Sequence, residues 1–123
     1  MVTRMNNNQY DIKAFSDNLE ITLEESVELF SSYISEMNIY CIQLKQHLIK
    51  ENYKELEKIV HSIKGVSGNL NIMDVYEEAA AVDDLLKAKS LTNIAENVKM
   101  LLLLIGDSEI KIKNYFSNYN ISL

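Results

Sequence analysis

No proline occurs in the 123 residues of this chain, and glycine occurs only three times. Proline ends helices and glycine weakens them, so such a chain suits long uninterrupted helices. The apolar residues follow the same rule. Leu23, Val27, Phe30, Ile34, Met37, Cys41, Leu44 and Leu48 recur every three or four places, the spacing of one helix face. Thr22, with Glu25 three places on, forms a capping box at the start. The pattern predicts a helix over about 23–50, about 42 Å long. Ser31-Ser32 is where it could bend.

The rest of the chain reads in the same way. A short helix is expected over 9–18. Asn52, followed by Glu55, opens a helix that ends near Leu70. Asn71 to Asp74 is a turn, with Asp74 as the next cap and Glu77 three places beyond. A helix over 74–89 buries Val75, Ala79, Val82 and Leu86. Asp83 lies about 40° from the centre of that stripe, either on its rim or as a buried acceptor with a partner. Ser90 starts the last helix, with a stripe of Leu91, Ile94, Val98, Leu101, Leu102, Ile105, Ile112 and Phe116. Gly106 and Glu109 interrupt it. No strand signal or linker appears. The expectation is an all-α fold: an antiparallel four-helix bundle with a short extra N-terminal helix. Residues 1–8 read as a flexible lead and 9–123 as one domain; the Met1 start suggests a free-standing unit.

Composition removes several functions. Twelve basic against 18 acidic residues give a net charge of −6. That disfavours nucleic acid and anionic membrane as partners. The polar, asparagine-rich start lacks the apolar run of a signal peptide. The longest apolar run, Met100 to Ile105, falls far short of the roughly 20 residues that cross a bilayer. Cys41 stands alone, so no disulfide framework exists and a reducing cytoplasm is consistent. His47 is the only other histidine beside His61. No histidine pair at metal-ligand spacing is present, and no metal site is expected.

One segment stands apart: His61-Ser62-Ile63-Lys64-Gly65-Val66-Ser67-Gly68. On a helical wheel, Leu56, Ile59, Ile63, Val66 and Leu70 fall within about 40° of the direction opposite His61. Around the histidine lie Lys54, Lys58, Lys64, Gly65 and Gly68, with Glu57 the one acid among them. Ser67 points toward the core side, free to bond back to its own helix. Two glycines weaken a helix by roughly 1 kcal/mol each. Accepting that cost beside an outward imidazole implies that something large must reach the ring. A free imidazole is largely neutral near pH 7 and can attack phosphorus without a separate base. Lys64, one turn on, can oppose the charge of the product.

The segment resembles the histidine-containing phosphotransfer (HPt) domains of multistep phosphorelays, whose signature is His-x-x-Lys-Gly with small residues beyond. Phe30 in a long amphipathic helix, the Glu51-Asn52-Tyr53 break and Ala79-x-x-Val82-Asp83 extend the likeness over most of the chain. Asn71, where the family often has glycine, and Asp83, where it often has glutamate, depart from the pattern. The resemblance implies that His61 is the phosphoacceptor and Lys64 its charge stabiliser. Gly65 and Gly68 would clear the approach of a partner, so that Gly68→Leu would block transfer and leave the fold largely intact. Lys54, Glu57, Lys58 and Asn69 would lie on the docking face. The partners implied are response-regulator receiver domains and a hybrid sensor histidine kinase. The receiver would bring the aspartate and Mg²⁺, this chain binding no cofactor of its own and acting as a monomer. Two other readings stay open: a docking module that takes no phosphate, and an enzyme using His61 as general base.

Overall fold

Five helices account for most of residues 10–123, the part of the chain that the computed structural model describes. They are α1 (Ile12–Asn18), α2 (Leu23–Ile49), α3 (Tyr53–Asn69), α4 (Met73–Lys87) and α5 (Ile94–Ser117), with no strand among the described residues. The lead expected over 1–8 lies outside them. Helix α2 packs on α3, α3 on α4, α4 on α5 and α5 back on α2, while α1 lies against α2. Short connections make consecutive bundle helices antiparallel. The chain is an all-α helical bundle.

Each helix contributes one apolar line to a shared core. Phe30, Tyr33, Met37 and Leu44 come from α2, and Leu56, Val60 and Ile63 from α3. Val75, Ala79, Val82 and Leu86 come from α4, and Val98, Leu101, Ile105, Ile112 and Phe116 from α5. Full burial of such side chains is worth roughly 1.5–3 kcal/mol each before chain entropy is counted. The core is not wholly apolar. Ser108 takes a place in the α5 line, 2.7 Å from the Tyr33 hydroxyl. Its own hydroxyl also donates to the Ile105 carbonyl at 2.6 Å. This pairing gives a polar side chain a place in the buried line; Gly106 and Glu109 lie off that line, and α5 stays helical through both.

The helix ends explain where expected boundaries moved. Thr22 Oγ1 accepts from Glu25 N at 3.0 Å and Glu25 Oε1 accepts from Thr22 N at 2.8 Å, the expected capping box. Helix α2 remains one element through Ser31-Ser32. Asp74 does not cap α4. That helix follows Ile72, which is buried and whose N–H bonds back to the Ser67 carbonyl of α3 at 2.9 Å. Asp74 sits in the first turn instead, with Oδ1 accepting from the Tyr10 hydroxyl at 2.8 Å. Nor does Ser90 start α5. Its N–H bonds to the Leu85 carbonyl at 2.9 Å, closing α4, and α5 begins at Ile94.

Candidate functional site

His61 sits in the middle of α3, but not where an ideal wheel places it. The buried residues of α3 are Leu56, Val60, Ile63 and Ser67, whereas Ile59, Val66 and Leu70 are only half-buried. The core line is thus turned by about 50° from the expected one, toward Val60. Ser67 joins it with its hydroxyl donating to the Ile63 carbonyl at 2.6 Å. His61 consequently leans over α4 rather than standing directly away from the core. Its side chain is 69% exposed, yet Nδ1 lies 3.4 Å from Asp83 Oδ2 of α4.

Asp83 is the buried acceptor of the two possibilities left by its wheel position, with no exposed surface at all. Oδ2 collects three cationic or donor groups. Lys87 Nζ, one turn on along α4, hydrogen-bonds to it; His61 Nδ1 faces it; and Lys64 Nζ lies 3.8 Å away. Oδ1 is buried without a partner. Burial opposes the charge on this carboxyl. The hydrogen bonds from Lys87 and His61, with their charges, outweigh it and hold the carboxyl below its ordinary range. In return, the hydrogen bond to Asp83 raises the Lys87 ammonium. A buried carboxylate survives only with such partners. Lys87 did not emerge from the sequence, although the Asp83–Lys87 spacing of four on one helix was a legible sign.

The two glycines differ. A Cβ built on Gly65 meets nothing within 4 Å, so this position leaves open space beside the ring. A Cβ on Gly68 falls 2.9 Å from Tyr76 Cδ1 of α4. The space at Gly68 is already filled by an aromatic ring, so Gly68→Leu must displace it and does not leave the fold untouched. Tyr76 could not be found from periodicity, because its contact is a missing side chain on another helix. His61, Lys64, Gly65, Gly68 and Asn69 line a groove of about 500 Å³, with Met73 and Tyr76 as its apolar wall. Asn71 closes one end with φ 58°, the left-handed helix ending that asparagine tolerates.

The expected docking residues occupy the same face. Glu57, Lys58, His61 and Lys87 line a second, smaller cleft of about 270 Å³. Lys54 and Glu57 border a third hollow with Tyr53, Leu86 and Leu91. Lys58 pairs with Glu55 at 3.1 Å. Among the described residues, no three His, Cys, Asp or Glu side chains gather as a metal cradle. No helix there is long and apolar enough to cross a membrane.

The fold and site together define a helical bundle that carries one exposed histidine, backed by a buried carboxylate and two lysines. Residues 28–111, two thirds of the chain, match the Hpt domain family. The chain belongs to that family, whose members serve histidine phosphotransfer with the receivers and kinases of two-component systems. No curated protein and no solved structure matches it.

Proposed function

We propose that this chain is a phosphorelay intermediate, taking a phosphoryl group onto His61 Nε2 from the aspartyl phosphate of a receiver domain. It then passes the group to the aspartate of another receiver. The observation that carries this reading is the orientation of one ring: mostly exposed, with Nδ1 turned toward a buried carboxylate. With its proton on Nδ1 donating to Asp83 Oδ2, the ring keeps a lone pair on Nε2.

That lone pair attacks phosphorus and forms the N–P bond. The P–O bond to the receiver aspartate breaks, and its electron pair leaves with the carboxylate. Nδ1 keeps its proton, so the ring becomes cationic and Asp83 faces the new charge. Lys64 opposes the charge of the phosphoryl oxygens, and Gly65 leaves room for the donor. Phosphoryl transfer depends on positioning and charge stabilisation more than on covalent help from the protein. The receiver would supply Mg²⁺, whose charge would offset that of the transferring group. The chain in this reading has no turnover of its own and needs its partner to complete the site.

Incubation with a phosphorylated receiver tests the proposal. An acid-labile, base-stable label on this chain is expected, lost in His61→Gln. A label that persists in His61→Gln contradicts it. Equal receiver binding by wild type and variant, with no transfer to either, would leave only a docking module.

A further inference from the structure

We propose that the hollow between the start of α3 and the end of α4 is a docking socket for the receiver, taking an apolar side chain that has a carboxylate beside it. The proposal rests on the reading of His61 as acceptor. Tyr53, Lys54, Glu57, Leu86, Lys89 and Leu91 line this hollow of about 390 Å³. None of the six takes part in the phosphoryl step.

The backbone builds the socket. Tyr53 opens α3, and Leu86 is buried on α4. Beyond α4 the chain turns at Lys89, where φ is 56°, and Ser90 N–H bonds to the Leu85 carbonyl at 2.9 Å. Ile94 N–H then bonds to the Leu91 carbonyl at 3.2 Å. These bonds hold Leu91 at the same hollow as Leu86 and Tyr53. A socket fixed in this way costs a partner little ordering.

Position and charge name the occupant. Glu57 belongs both to this hollow and to the cleft beside His61. It lies four residues before His61, and Tyr53 lies eight before. Along α3 the hollow thus extends from about 6 Å to about 12 Å from the ring. A stable interface takes roughly 800 Å² from each partner, about 16 Å in radius if round. A receiver centred on the ring therefore covers the hollow, where an apolar side chain set in a pocket makes a strong anchor. Among the described residues, Lys54 and Lys89 join no ion pair. The one acid of the hollow is shared: the Lys87 ammonium is raised first by its hydrogen bond to Asp83 and also by the charge of Glu57. Two cations against one shared acid favour a carboxylate next to the inserted side chain.

The experiment uses the full chain and the receiver domain, among those of the same cell, that labels wild-type His61 fastest. Transfer rate against receiver concentration separates docking from chemistry. Leu91→Ala, and Lys54→Glu combined with Lys89→Glu, should each raise the half-saturating concentration about tenfold and leave the limiting rate within about twofold. Phosphoramidate, which transfers its phosphoryl group to imidazole and releases ammonia, is too small to need the socket. It should label both variants at the wild-type rate. Methyl resonances of Leu86 and Leu91 should shift when unphosphorylated receiver is added, and those of Leu103 on α5 should not. An unchanged half-saturating concentration in either variant overturns the proposal, as do methyl shifts that spare Leu86 and Leu91. Slower labelling by phosphoramidate, in step with the receiver, overturns it too, since the substitutions then act on His61 itself. A wild-type chain that no receiver labels overturns the relay reading, and this proposal with it.

Discussion

Asp83 uses one oxygen for three neighbours and leaves the other buried without a partner. Its carboxyl is held below the ordinary range by Lys87 and His61 despite burial. A group whose folded pKa is depressed stabilises the fold above its unfolded pKa, near 3.9, and loses that contribution as pH falls through the folded value. Asp83→Asn should therefore cost about 1–3 kcal/mol at pH 7. The gap from wild type should close below pH 4. Thermal melts at pH 7, 4 and 3 check this; a gap that stays constant with pH refutes it. The two glycines make a second test at this scale. Gly65→Ala adds a side chain in open space and should stabilise α3 by up to about 1 kcal/mol while slowing transfer. Gly68→Ala drives a Cβ into Tyr76 and should cost about 1–3 kcal/mol. Denaturant midpoints and transfer rates for both variants decide it, and equal stability changes would contradict the distinction.

At the level of elements, the helix ends share one device. Glu20, Glu51, Asn71, Lys89 and Asn120 follow the five helices with φ between 54° and 60°. In each case the next residue's N–H reaches back into the helix, as Asn52 does to the His47 carbonyl at 2.9 Å. Glycine would serve these positions with less strain, yet none is used there. Lys89→Gly should raise stability by about 0.5–1 kcal/mol, measured by denaturant midpoint; a loss of stability would show that the Lys89 side chain matters more than its backbone. These ends also mark what the sequence concealed. Apolar spacing gave the helices, because each needs one buried face. It could not place the starts of α4 at Met73 and of α5 at Ile94, because those are decided by a buried isoleucine, Ile72, and by closing bonds from α4. The site was legible where it is local: His61, Lys64 and Gly65 share one helix. Asp83's burial, Lys87's pairing and Tyr76's seat on Gly68 depend on how α4 lies against α3, which periodicity does not specify.

Across the whole molecule, α1 lies outside the family match yet is tied into the bundle. The Phe15 and Phe30 rings lie 5.7 Å apart, and Phe30 and Phe116 5.9 Å. Ile12 is buried, and the Tyr115 hydroxyl accepts from Lys13 N at 2.9 Å. Tyr10 and Lys111 both engage Asp74, joining the chain before α1 to α4 and α5. Ile12→Ala should cost about 2–4 kcal/mol and keep one cooperative transition by calorimetry; an early, separate melting step would show that α1 is only loosely attached. The bundle holds α3 against α4, and that packing sets which nitrogen of His61 faces outward. The most direct measurement of the account is therefore the ring itself. With ¹⁵N-labelled histidine and a phosphorylated receiver as donor, nuclear magnetic resonance should show phosphorus coupled to Nε2 of His61 and a proton retained on Nδ1. Phosphorus on Nδ1, or on any other residue, would contradict it.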